Sequence, residues 1–162
     1  MVNLFTGVES TELFGGEVPP AVKRLVDEAR GMGPERAGAA LWTAVLTFPN
    51  CLPPYYLLYK FHASRGELEP ANEVARKGLA VAAAQASIDR DWRAVQPTDA
   101  DFSMPGPARF WLFTLKALAF ISVRRGERVV ARQLVEKLRV LDPADRLGFG
   151  VVEGLLTQSR SQ

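Results

Sequence analysis

The chain offers few side chains that could carry out chemistry. It contains one histidine, His62, and one cysteine, Cys51, among 162 residues. Because a structural zinc site takes about four cysteine or histidine ligands, these two residues are too few to build one. We interpret His62 as a packing residue, with a general base as the alternative. Cys51 is interpreted as a small apolar residue, with a reactive thiol as the alternative.

A second candidate is a group of four aspartates in two D-x-D pairs, Asp89 with Asp91 and Asp99 with Asp101. Such pairs could gather a hard cation, but they lack the glycine and the distal glutamate of a calcium-binding helical hand. We interpret them as a solvated acidic loop. The sequence also lacks a phosphate-binding glycine loop and a nucleophile elbow. It therefore predicts no metal, no cofactor and no enzymatic activity.

The overall composition is that of an ordinary globular chain with a mild charge asymmetry. A length of 162 residues suits one domain. Residues 1–104 carry 10 basic and 13 acidic side chains, whereas residues 105–162 carry 10 basic and 5 acidic ones. The basic C-terminal part indicates an acidic partner, or simply an arginine-rich surface. No secretory signal or membrane span is evident, and the single cysteine suits a reducing compartment, so we expect a cytoplasmic protein.

The elements that must position these residues are all predicted to be helices. Apolar residues recur at helical spacing, prolines lie in first turns, and glycines follow last turns. Residues 1–17 lack this periodicity and are predicted to form an N-terminal arm or a loosely docked tail. Seven helices follow, and no segment alternates as a strand would. The predicted fold class is all-α, with the helices in antiparallel pairs.

Part of this pattern is repeated. The string R-G-E occurs at residues 65–67 and again at 125–127, and each copy is followed four residues later by an alanine. Gly66 and Gly126 are 60 positions apart, as are Ala71 and Ala131, while Ala37 and Ala71 are 34 apart, as are Ala44 and Gly78. Equal spacings of this kind indicate a repeated helix pair, in which the glycine ends one helix and lets the chain reverse.

The repeat resembles the tetratricopeptide repeat, a 34-residue helix pair. Its second helix has a small residue, a bulky one, another small one and a closing proline. In the three copies these positions hold Ala37, Leu41, Ala44, Pro49; Ala71, Ala75, Gly78, Ala83; and Ala131, Val135, Leu138, Pro143. The second copy lacks the proline, and the third has a bulky Leu138. The resemblance implies a right-handed superhelical stack within a domain at 18–159. Its parts are units at 18–51, 52–85 and 112–145, an insertion at 86–111, a capping helix at 146–158 and a tail at 160–162.

The resemblance also implies a concave groove lined by the first helix of each unit. The groove-lining positions hold Val22, Val26, Arg30, Tyr56, Lys60, Ser64, Phe113, Lys116, Phe120 and Arg124. Aromatic rings beside cations suit a protein or peptide partner with apolar and acidic side chains. The alternative is that some of these rings pack against the seventh helix or the insertion. One subfamily binds acidic chaperone tails through particular residue types at set positions. Those positions hold other residue types here, so the resemblance does not imply binding of such tails.

The insertion carries large apolar residues, including Trp92 and Phe102. Long irregular segments inside compact domains are usually functional or disordered. We expect this one to fold over the groove or to dock a partner. Ordinary packing of Trp92 onto the chain's own helices is the alternative.

The sequence therefore predicts an adaptor or chaperone that binds a protein segment without catalysing a reaction. Its size and three-unit layout are similar to those of the class II chaperones of bacterial type III secretion, which usually lack such an insertion. One alternative is a structural homodimer. Another is an RNA-binding helical repeat that uses Arg124, Arg125, Arg128, Arg132 and Arg139, although these arginines do not form one clear stripe.

Overall fold

A computed structural model of the chain describes residues 18–144 and 150–158. These residues contain seven α-helices and no strand, so the all-α prediction is confirmed. The helices are α1 Pro20–Arg30, α2 Pro34–Thr47, α3 Leu52–Ser64, α4 Leu68–Ala86, α5 Pro107–Arg124, α6 Arg128–Leu141 and α7 Gly150–Gln158. A short 3₁₀ turn, Trp92–Ala94, lies between α4 and α5.

The helix starts and turns follow from local sequence. Proline occupies the first turn of α1, α2, α3 and α5, where its missing N–H costs nothing. The two R-G-E strings have the same geometry. Gly66 has φ +73° and Gly126 has φ +81°, and the amide of the following glutamate donates to the carbonyl five residues earlier, at 2.9 Å in both copies. The repeated string is therefore a repeated helix-ending turn.

The helices pack in chain order. Each helix from α1 to α6 contacts the next, including α4 and α5, which the long connection separates in sequence. In addition, α3 contacts α5, and α7 packs against both α5 and α6. This order agrees with stacked helix pairs, while the superhelical arrangement remains a prediction.

Two glycines let α3 lie close to both of its neighbours. A Cβ added to Gly78 of α4 would lie 3.0 Å from the Cβ of Tyr55, and one added to Gly38 of α2 would lie 2.9 Å from the ring edge of Phe61. Apolar side chains are buried on every side of α3, as expected for a helix at the centre of a bundle.

Some predicted boundaries differ from the structure or lie outside the described residues. The segment between α4 and α5 covers residues 87–106, which is shorter than the predicted insertion at 86–111. The difference arises because α5 begins at Pro107, five residues before the predicted third unit. The arm at 1–17, the tail at 160–162 and the beginning of the capping helix, 146–149, are outside the described residues.

None of the helices in the described part of the chain combines the length and apolar character that crossing a membrane requires.

Candidate functional site

A cavity of about 350 Å³ lies between α3, α5 and α7. We refer to it as the groove, and its lining residues are Tyr59, Lys60, Ala63, Phe113, Lys116, Ala117, Phe120, Ile121 and Val152. The residues from α3, and those from α5, recur at spacings of three and four, which places them on one face of each helix. These lining residues include apolar and basic types but no Asp or Glu.

Aromatic rings form one wall of the groove. The ring of Tyr56 lies 5.6 Å from that of Phe113 and 5.7 Å from that of Tyr59, centroid to centroid. Tyr59 is buried, and its hydroxyl lies 3.3 Å from the hydroxyl of Thr114 on α5. Burial raises the pKa of the Tyr59 hydroxyl well above its usual value, so this hydroxyl stays neutral. The rings therefore join α3 to α5 and give the groove a defined shape.

Three cations lie against these rings. Lys60 donates a hydrogen bond to the Tyr56 hydroxyl, and its ammonium is 4.4 Å from the centroid of the Tyr56 ring. The ammonium of Lys116 lies 5.6 Å from the Phe113 ring centroid. The guanidinium of Arg124 lies 5.8 Å from the Phe120 ring centroid and donates to the Ala63 carbonyl at 3.2 Å. The groove thus combines an apolar surface with positive charge.

The structure brings together six of the ten residues predicted to line the groove. Lys60, Phe113, Lys116 and Phe120 line the cavity, and all four are partly exposed. Tyr56, which was expected to be exposed, is only 4% exposed and is not among the residues that line the cavity. Arg124 lies beside Phe120 and Ala63.

Other parts of the groove were missed or wrongly assigned by the repeat pattern. Val22 and Val26 of the first unit are buried in the core, so these two side chains do not line a groove. Val152 was missed because it belongs to the capping helix, outside the repeat pattern. Phe113 and Phe120 are half-buried and pack against the core.

His62 is a buried packing residue with two hydrogen-bond partners. Its Nε2 accepts from the indole N–H of Trp42 at 3.0 Å, and its Nδ1 lies 3.2 Å from the Glu67 carboxylate. Because an indole nitrogen only donates, Nε2 must accept, and the ring proton must lie on Nδ1. Glu67 also accepts from Arg65. The bond with His62 and the contacts with Arg65 lower the pKa of Glu67. The histidine therefore joins α2 to α3 and to the first R-G-E turn.

The four aspartates hold the connection between α4 and α5 in shape. Asp89, Asp91, Asp99 and Asp101 each accept a backbone N–H from a residue two or three positions away. Hydrogen bonds from the backbone and side chain of Ser103 lower the pKa of Asp101. Among residues 18–144 and 150–158, no three His, Cys, Asp or Glu side chains form a group that could hold a metal ion.

Cys51 lies before α3 and is partly buried. Burial raises the pKa of its thiol, which disfavours the reactive thiolate.

The insertion packs on α6 and on the start of α5. Trp92 and Phe102 are buried, at 7% and 8% exposure. The Phe102 ring lies 5.7 Å from that of Trp111, and Lys137 of α6 donates to the Val95 carbonyl at 2.8 Å. None of the groove-lining residues comes from the insertion. In this structure Trp92 therefore packs onto the chain's own helices.

Most of the arginines considered for RNA binding have partners within the chain. Arg125 contacts Glu69 at 2.7 Å and Glu127 at 3.2 Å. Arg128 donates to the Leu156 carbonyl, and Arg139 forms an ion pair with Glu153. These contacts tie the last helix pair to α4 and α7.

Comparisons of the chain with protein-family models, with curated proteins and with solved structures find no match.

Proposed function

We propose that the protein is a non-enzymatic interaction module that binds a segment of another protein in the groove. The observation that supports this most is the convergence of partly exposed rings and three cations around one cavity, at positions predicted from the repeat. Rings of this kind act as apolar anchors for a partner, and the cations select acidic neighbours of the anchored residue. The partner segment is therefore apolar with acidic flanks.

The size of the cavity limits how much of a bound segment it can enclose. Ligand pockets span about 300–1,000 Å³, and the groove, at about 350 Å³, is at the lower end of that range. It accommodates a few side chains of an extended or helical segment, while the rest of the segment lies on the surface around it. Binding of a short segment in a groove is typical of adaptors and chaperones.

Selection of a phage-displayed random peptide library tests this proposal. The protein is compared with a groove variant, Lys116→Glu with Phe120→Ala, and with Lys23→Glu, a control at an exposed lysine of α1. Circular dichroism confirms that each variant is folded. We expect the wild type and the control to enrich peptides with aromatic or aliphatic residues beside Asp or Glu, and the groove variant to lose them. Equal enrichment by all three proteins would contradict the proposal.

The same experiment addresses the two alternative functions. An RNA-binding protein would enrich no peptide and would retard RNA in a salt-dependent gel shift. The engagement of Arg125, Arg128 and Arg139 within the chain argues against that role. A structural homodimer would enrich no peptide and would show twice the monomer mass in light scattering.

A further inference from the structure

We propose that residues 1–17 of this chain dock into the groove and occupy it until a partner segment displaces them. This inference rests on the proposed function, because it uses the same groove as a peptide-binding site. The occupant is identified by three observations: the composition of residues 1–17, the chemistry of the groove, and the place where the described chain begins.

The composition of residues 1–17 fits the ligand that the groove would select. The segment reads MVNLFTGVESTELFGGE and contains two Leu-Phe pairs, Leu4–Phe5 and Leu13–Phe14. It contains three glutamates, Glu9, Glu12 and Glu17, and no lysine or arginine. Bulky apolar anchors with acidic residues between them are the combination expected of a groove ligand.

The groove is complementary to this segment in both respects. Half-buried Phe113 and Phe120 provide apolar contacts for the leucine and phenylalanine side chains. Lys60, Lys116 and Arg124 place positive charge beside these rings. Because the lining residues include no Asp or Glu, an acidic segment meets no like charge there.

The segment can reach the groove. Val18, the first described residue, packs against the core ahead of α1. Packing runs from α1 to α2, from α2 to α3 and from α3 to α5, so three interhelical distances of about 8–10 Å each separate α1 from α5. Phe5 lies 13 residues before Val18, and an extended chain of that length spans about 43 Å. The linkage therefore allows the Leu4–Phe5 pair to reach the groove, while Leu13–Phe14, four residues before Val18, is limited to about 13 Å and to the nearer end of the path.

Docking within one chain has a measurable consequence. A short flexible tether gives an effective concentration in the millimolar range. If the free segment binds an open groove with a Kd of about 10–100 μM, the tethered copy weakens binding of any outside peptide by about ten- to a hundredfold. The groove is then available to a partner that binds more tightly or is present at high concentration.

Fluorescence polarisation with a fluorescein-labelled synthetic peptide of residues 1–17 tests the proposal on the full chain. One arm variant carries Phe5→Ser and Phe14→Ser, and a second carries Glu9→Lys and Glu12→Lys. We expect both to bind the labelled peptide at least tenfold more tightly than the wild type. Adding Lys116→Glu and Phe120→Ala to the first arm variant should abolish that gain.

Two results would overturn the inference while leaving the proposed function intact. Equal binding of the labelled peptide by the wild type and both arm variants would mean that the groove accepts this sequence but is not occupied in the same chain. A gain in the arm variants that survives Lys116→Glu and Phe120→Ala would place the segment on another surface.

Failure of every protein to bind the labelled peptide would also overturn the inference. The library selection, repeated on the arm variants, then tests the proposed function by itself. Enrichment of acidic-apolar peptides there would retain the groove as a binding site, and absence of enrichment would remove both.

Discussion

The contact between Trp42 and His62 is the clearest example of a residue whose role depends on tertiary structure. The two residues are 20 positions apart in sequence and lie on different helices. The sequence argument could assign His62 to packing because it falls at a position where the repeat that the chain resembles usually packs an aromatic ring. It could not identify Trp42 as the donor, because no local pattern relates the two positions. The bond supplies a buried ring nitrogen with a partner, as buried polar groups require.

Replacing Trp42 with phenylalanine tests the importance of this bond. Trp42→Phe removes the indole donor and leaves Nε2 of His62 without its partner, and an unsatisfied buried polar group costs about 1–3 kcal/mol. We expect the free energy of unfolding, measured by urea denaturation, to fall by about that amount.

The double variant Trp42→Phe with His62→Phe provides the control for this prediction. It removes both polar partners and should be less destabilised than the sum of the two single variants, because no unpaired nitrogen remains. Simple additivity of the two single changes would show that the hydrogen bond contributes nothing to stability.

At the level of the helices, the sequence predicted most of what the structure contains. Helix beginnings and ends depend on a few neighbouring residues, such as Pro34 at the start of α2 and Gly126 after α5. The two R-G-E strings could be recognised as one turn because glycine is needed there for a positive φ. The end of the insertion was set at residue 111 by the repeat pattern, which says nothing about a helix that begins before its unit.

The repeated turn allows a matched set of substitutions. Gly66→Ala and Gly126→Ala introduce a Cβ at φ +73° and +81°, where side chains other than glycine are strained. The left-handed conformation costs about 1–2 kcal/mol per residue, so both variants should lose about that much stability. Because the two turns share one geometry, the two losses should be similar. Thermal or urea unfolding of the two variants measures them.

Gly31 provides the control for these turns. It follows α1 with φ −92°, a conformation that alanine adopts readily, and the nearest atom to an added Cβ is 3.9 Å away. Gly31→Ala should therefore leave stability unchanged or raise it slightly, because alanine restricts the unfolded chain. A loss at Gly31 as large as at Gly66 would show that the sign of φ does not determine the cost.

At the level of the whole molecule, the repeat pattern predicted groove residues of the second and third units, but it misassigned Val22 and Val26 and missed Val152. Phe113, Lys116 and Phe120 follow from their place in the third unit, because spacing along one helix determines which face they share. Val152 and the position of the insertion depend on contacts between segments that are distant in sequence. The sequence argument could say that Trp92 and Phe102 need burial, but it could not determine which surface buries them.

The packing of the insertion on α6 predicts that it can be loosened without affecting the groove. Lys137→Met keeps the length of the side chain and removes the donor to the Val95 carbonyl, whose residue is 0% exposed. A loss of one or two kcal/mol in local docking corresponds to about a 5–30-fold larger open population. Cleavage within residues 87–106 by a protease of broad specificity, used at low concentration, should accelerate by a similar factor.

Lys23→Met, an exposed control on α1, should not change the rate of cleavage. Binding of a groove-selected peptide should stay within twofold of the wild type, because the cavity lies between α3, α5 and α7. Loss of peptide binding together with faster cleavage would mean that the insertion controls the groove, contrary to the packing described above.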